Sequence, residues 1–107
     1  MKLRLYSLLG FAKRAKKLVC GMTNCVYAVR KKNAQLVIIA TDAGVTRKKL
    51  VRECQIQDIP LIEYGTRDQF IKYLGSPVCY WAVLSQELAK EILRNFEEGK
   101  DNQYGGD

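Results

Sequence analysis

The 107-residue chain contains no histidine, and that one absence removes a large part of enzyme chemistry. Imidazole is the usual base that activates a serine or cysteine nucleophile, so Ser/His and Cys/His catalysis are excluded, as is any mixed Cys/His zinc site. Glycine-rich phosphate loops are missing too: neither G-x-G-x-x-G nor G-x-x-x-x-G-K-[ST] occurs, which argues against a Rossmann or P-loop enzyme. No paired carboxylates stand beside a phosphate loop or a metal-ligand set. The residue inventory describes a protein that is not an enzyme, with no cofactor and no metal ion.

Long apolar runs are also lacking. No stretch approaches the ~18 residues of a membrane span, and Leu3 to Phe11 is interrupted by Arg4, Ser7 and Gly10 without the small-residue cleavage site of a signal peptide. Cys20, Cys25, Cys54 and Cys79 are irregularly spaced and form no C-x-x-C. Each lies in or beside an apolar run, which favours buried free thiols over a four-cysteine zinc site or the disulfides of a secreted protein. A soluble, cytoplasmic protein without a membrane partner is expected.

The scarcest feature of the first half is negative charge. Residues 1–50 hold 12 Lys/Arg and a single acid, Asp42, whereas residues 51–107 hold 6 Lys/Arg and 10 acids, a division of +11 against −4. A basic half without acids produces a field suited to a polyanion, and nucleic acid is the commonest one for a soluble domain. Solubility alone is the plainer reading of the same charge.

What is present is a regular alternation of helix and strand. With 48% hydrophobic residues, the length suits one domain with one core, residues 1–96, followed by a flexible tail, 97–107, that has no apolar period. Leu5, Leu8, Leu9, Ala12 and Ala15 follow helical spacing over residues 3–16. A short strand, Leu18 to Cys20, precedes Gly21 and a helix that Asn33 stops near Lys32. The unbroken run Leu36 to Ala40 reads as a central strand covered on both faces. Thr46 is placed to cap a helix from Arg47 to Gln55 with Leu50, Val51 and Cys54 inward. A strand at Pro60 to Tyr64, a helix from Arg67 to Leu74 closed by Gly75, a strand at Cys79 to Leu84 and a Ser85-capped helix to about Phe96 complete the order. That order implies an α/β fold, a three-layer α-β-α sandwich with a mixed sheet of about four strands.

Chemistry concentrates on the helix after Gly21. At 100° per residue, Met22, Cys25, Val26 and Val29 share one side, while Asn24, Tyr27 and Lys31 share the other with Thr23 and Arg30 beside them. A row of hydrogen-bonding, aromatic and cationic groups at the start of a helix, where N–H groups are free and the dipole is positive, is suited to RNA phosphates and bases. Each residue has a plainer role as well: Gly21 as a turn, Thr23 as a cap, Tyr27 as a half-exposed packing residue, Lys31 as a solvated lysine. The first turn of the next helix, Arg47, Lys48 and Lys49, sets cations against the dipole, which fits either an anionic partner or a solvated basic face.

The segments LLGFAKRAKKLVCG, AVRKKNAQLVIIATDA and IPLI together resemble the kink-turn-binding ribosomal protein superfamily (the L-seven-Ae and L-thirty-e type), most closely its small bacterial YlxQ-like branch. The resemblance runs from about Leu5 to Leu84. It implies a protein that clamps a sharply bent RNA duplex with tandem sheared G·A pairs, working with ribosomal RNA or with ribosome or ribonucleoprotein components. In that family a Gly-x-Asn-Glu-x-x-Lys pattern enters the groove, and a short apolar loop packs against an extruded nucleotide. By that alignment the RNA-binding residues are Gly21, Thr23, Asn24, Tyr27 and Lys31, with the apolar loop at Ser76, Pro77 and Val78; Lys17, on the basic outer face of the first helix, is counted with them. Thr23 stands at the Asn position, Asn24 at the Glu position and Tyr27 at the Lys position. A neutral amide forgoes the charge-assisted hydrogen bonds that a carboxylate accepts from guanine, so guanine reading is expected to be weakened or altered. The competing expectation is a protein-protein interaction module on the same fold that has lost kink-turn recognition, using the acidic last helix and Trp81.

Overall fold

The computed structural model describes residues 2–106, with side chains described from Arg4 to Glu98. Five helices and four strands alternate: α1 (Lys2–Arg14), β1 (Leu18–Cys20), α2 (Met22–Arg30), β2 (Leu36–Ile39), α3 (Arg47–Gln57), β3 (Leu61–Glu63), α4 (Arg67–Leu74), β4 (Tyr80–Val83) and α5 (Gln86–Gly106). The sheet order is β1-β4-β2-β3. β4 is antiparallel to both of its neighbours, pairing Cys20 with Trp81 and Ile38 with Trp81, while β2 and β3 run parallel, Val37 opposite Leu61. The helices pack α2 against α3 and α1 against α4 and α5, which makes the expected three-layer sandwich on a mixed four-stranded sheet.

β2 is central, and all four of its residues are buried, as an unbroken Leu-Val-Ile-Ile run demands. Covering each such side chain is worth roughly 1.5–3 kcal/mol against leaving it exposed. Leu5, Leu9 and Ala12 of α1 cover one side, together with Tyr6, a residue outside the apolar period. Cys25, Val26, Ala28 and Val29 of α2 are also buried, and Met22 packs at the margin of the same cluster.

Several expectations are corrected. Ala15 is exposed because α1 ends at Arg14 and Lys16 turns the chain at φ 61°. α2 is stopped not by Asn33 but by Lys32, at φ 60°; the N–H groups of Asn33 and Ala34 both return to the Ala28 carbonyl. Thr46 does not cap α3 with its side chain; its hydroxyl shares a 2.9 Å hydrogen bond with the Tyr80 hydroxyl instead. Thr66 does supply a reciprocal cap for α4 with Gln69, and the Leu88 N–H donates to Ser85 Oγ at 3.3 Å. Trp81 is 1% exposed, so it is a core residue and not a contact for a partner. The apolar period ends near Phe96, yet α5 stays helical to Gly106. Extending an existing helix costs little, and the Glu, Lys and Gln of that stretch are good helix formers. Asp107 lies outside the described residues.

All four cysteines are free thiols, three of them buried, and no metal-holding group of cysteines and carboxylates occurs among the described residues. Burial, with the neighbouring Cys20 and Cys54, pushes the Cys25 thiol up from 9.0 to about 12, and burial pushes that of Cys54 from 9.0 to about 11. The unfolded chain therefore loses these protons near pH 9 while the folded chain keeps them. Stability is complete below pH 9 and falls as the pH rises toward 11–12, by up to about 1.4 kcal/mol per pH unit for each thiol. Urea midpoints between pH 8 and 10.5 check this, and Cys25→Ala with Cys54→Ala should remove the part of the slope that begins near pH 9.

Candidate functional site

Because β1 and β2 both oppose β4 and β3 runs with β2, the carboxyl ends of β1, β2 and β3 share one edge with the amino end of β4. Four connections meet there: Gly21 with the start of α2, Thr41 to Thr46, Tyr64 to Thr66, and Ser76 to Cys79. This is where ligands sit in open α/β sheets, since only the loops outside the strand ends are free to be shaped for binding. The order β1-β4-β2 puts the loop before β4 next to Gly21, and the Gly21 N–H donates to the Tyr80 carbonyl at 2.9 Å.

Gly21 has φ 90° and ψ 152°, a conformation that side chains rarely adopt. A Cβ there would meet no atom within 4 Å, so the space outside it is open. Glycine offers no side chain to cap α2, which leaves the first-turn N–H groups facing outward. Thr23 and Asn24 are exposed beside it. The Asn24 amide nitrogen donates to the Cys20 carbonyl at 3.1 Å, which turns Oδ1 outward as an acceptor. One turn on, Tyr27 is 62% exposed, and the Lys31 ammonium stands 5.6 Å from its ring centroid, a cation–π arrangement that holds the ring edge to solvent.

The loop before β4 is firmly held from below. Val78 packs on the core cluster, Cys79 is buried, and of Ser76, Pro77 and Val78 only Pro77 is exposed, Ser76 being half-buried. The Arg67 guanidinium donates to Cys79 Sγ at 3.3 Å, and its backbone N–H is 3.2 Å from the Asp42 carboxylate. Asp42 thereby ties the β2–α3 loop to the start of α4, joined by Thr41, whose N–H and hydroxyl both donate to the Gly65 carbonyl at 2.8 and 2.9 Å. Arg47 pairs with Glu63 at 2.7 Å. Arg30 pairs with Glu53 at 2.6 Å, and that guanidinium hydrogen bond holds the Glu53 carboxyl below its usual range.

Gly21, Thr23, Asn24, Tyr27 and Lys31 are thus brought together on one exposed face, with Pro77 on the adjoining loop. Lys17 is not among them. It precedes β1, its carbonyl accepting from Leu84 N–H at 2.8 Å, and so lies at the opposite edge of the sheet. Sequence reasoning missed the residues that lock the loops, Asp42, Tyr80 and Arg67. The one available signal was Asp42 itself, the single acid of a basic half; its partner lies 25 positions away.

Fold and edge together define a class: a small α/β/α sandwich whose exposed groups at the start of α2 form a polar, aromatic and cationic row. The chain belongs to the ribosomal protein L7Ae/L30e/S12e/Gadd45 family, which matches residues 4–93, and within it to the YlxQ-like branch. It is 27% identical over 92 residues to the RNA-binding protein YlxQ of Enterococcus faecium, covering 85% of this chain and 89% of the relative. With the protein of the same name from Bacillus subtilis (strain 168) the identity is 29% over 90 residues, covering 82% and 90%. A solved protein with unknown function from Bacillus halodurans C superposes with a TM-score of 0.80 at 32% identity, covering 84% and 93%. The Giardia lamblia 15.5kD RNA binding protein superposes at 0.75 with 20% identity, covering 90% and 87%, a likeness of fold.

Proposed function

We propose that this protein binds structured RNA, a kink-turn or ribosomal RNA element, through the start of α2 and the loop before β4, as a cytoplasmic component of ribonucleoprotein or ribosome assembly and not as an enzyme. One observation carries the reading: Thr23, Asn24, Tyr27 and Lys31 are exposed along a single face beside an open Gly21. The YlxQ relatives, both named as RNA-binding proteins, support it.

The roles follow from the groups. First-turn N–H groups of α2 and the Lys31 ammonium suit phosphate oxygens. Asn24 Oδ1 accepts one guanine N–H without charge assistance, and Thr23 donates or accepts one hydrogen bond. The Tyr27 ring offers a stacking surface worth about 1–3 kcal/mol per base. Pro77 presents an apolar cap to an extruded nucleotide. The protein-contact alternative loses its chief residue, because Trp81 is buried.

The test is a titration of the purified protein with a kink-turn RNA and a matched plain duplex at several salt concentrations. Phosphate attraction alone treats the two alike and fades steeply with salt; a preference for the kinked RNA that persists at physiological salt is the expected result, and equal, salt-sensitive binding overturns the kink-turn reading. Restoring the family pattern with Thr23→Asn and Asn24→Glu is expected to tighten kink-turn binding by about 1–3 kcal/mol, the range for one good base contact. No gain in that titration would mean that these side chains do not face the bases.

A further inference from the structure

The fold sets one part of the basic half of the sequence, α2 and α3, side by side in one layer. On α3, Lys49, Arg52, Glu53 and Ile56 recur at i, i+3, i+4 and i+7 and form one stripe beside the buried Leu50 and Cys54. Arg30 of α2 joins that stripe through the 2.6 Å bridge to Glu53, and Arg30 is in turn i+3 from Tyr27, beside Lys31. Glu53 is the one acid of the seam, and Arg30 takes up its charge; Lys49 and Arg52 stand near enough to help hold its carboxyl below the usual range. Lys31, Lys32, Lys48, Lys49 and Arg52 are exposed, and none has an ion pair among the described residues. The exposed acids Glu87, Glu97 and Glu98 sit on α5, which packs on α1 in the opposite layer, so the acids near the seam are Glu53, shared with Arg30, and Asp58 at the end of α3, fewer than its cations.

We propose that the seam between α2 and α3, with Lys31, Lys49 and Arg52 as its contacts, is a second phosphate-binding strip that holds a helical arm of the same RNA beyond the part gripped at the start of α2. The proposal rests on the RNA-binding reading. Continuity favours a nucleic-acid arm over an acidic protein: the strip begins at Tyr27 and Lys31, the last residues of the α2 row, and runs on along α3 without an intervening acid left unpaired. Its chemistry is that of backbone recognition. Point charges on flexible stems, with no fixed hydrogen-bonding fork apart from Arg52, supply affinity and register without reading bases.

The test uses the full chain, a kink-turn RNA with long helical arms, and the same kink-turn with its arms cut back. Lys49→Ala with Arg52→Ala is expected to weaken binding of the long-arm RNA and to lower the slope of log K against log salt by about 1.4–1.8, as for two lost phosphate contacts. Short-arm binding and the preference for a kink should not change. Lys72→Ala with Lys90→Ala, the same loss of charge on α4 and α5, should leave the long-arm slope unaltered. All four positions are exposed, and thermal unfolding verifies that the variants fold. An unchanged slope for the first pair, or an equal fall for the second, overturns the strip. So does displacement of the long-arm RNA by poly-L-glutamate as readily as by unlabelled RNA, which would assign the seam to an acidic protein. Binding of wild type to the short-arm RNA with no effect of arm length sinks the strip alone, whereas binding to neither RNA sinks the underlying reading with it.

Discussion

Gly65→Ala is expected to destabilise the fold by about 2–5 kcal/mol, seen as a large fall in the urea midpoint with an unchanged slope. Two costs add. Gly65 sits at φ 77°, where a side chain costs roughly 1–2 kcal/mol. A Cβ there would also overlap the Tyr6 hydroxyl and lie 3.1 Å from Phe70 Cζ, an overpacking of the kind that costs about 1–3 kcal/mol. Tyr6 cannot step aside: its hydroxyl donates to Gln69 Oε1 at 2.9 Å, and its ring is stacked on Tyr73 at 4.6 Å and tilted against Tyr64 at 5.3 Å. Gly44→Ala is the control, since a Cβ at Gly44 meets nothing within 4 Å and its φ is outside the left-handed range. A gain of a few tenths of a kcal/mol is expected there from the stiffer unfolded chain. Because the Gly65 carbonyl also accepts both bonds from Thr41, the variant should loosen the β2–α3 loop before the protein unfolds.

The second large effect is at Trp81. Trp81→Ala is expected to lose about 3–5 kcal/mol, the range for truncating a buried aromatic, because the indole is 1% exposed and 5.3 Å from the Phe70 ring. Trp81→Phe should lose far less than that. The indole Nε1–H is buried without a hydrogen-bond partner among the described residues, so its removal forfeits no bond and relieves a desolvated donor, leaving only the volume difference. Chemical denaturation of the two variants distinguishes these costs; a Phe variant as unstable as the Ala variant would mean that the N–H is satisfied after all. Both substitutions act beneath the α2 edge, since Trp81 is in register with Cys20.

Local periodicity was enough to read the secondary structure of this chain. Leu5, Leu9 and Ala12 at helical spacing, the unbroken Leu36 to Ile39 run, and the Ser85 cap each depend on neighbours within a few residues, so each was legible without the fold. Apart from the ends of α1, α2 and α5, the misreadings came where the surrounding fold decided a group's place. Thr46 looks like a cap because a hydroxyl precedes a helix, but Tyr80, 34 positions away, competes for it. Lys17 looks like part of a basic run leading to Gly21. A strand nevertheless separates the two, and three residues at ~3.3 Å each carry Gly21 to the other edge of the sheet.

The sequence by itself determined the order of elements, the glycine that opens α2, the face on which Thr23, Asn24, Tyr27 and Lys31 align, and the excess of positive charge in the first half, because all of these follow from composition and from spacing along one helix. Tertiary structure alone decided which loops meet. Antiparallel β4, inserted between β1 and β2, brings Tyr80, at the end of the loop that carries Pro77, to Gly21 and seals Trp81 in the core. The Arg30–Glu53 bridge joins α2 to α3 and leaves Lys49 and Arg52 exposed along one seam. Strand order and helix pairing are set by which apolar faces bury each other across long stretches of chain, and a pattern of period 2 or 3.6 records only that a face is apolar, not which face will cover it.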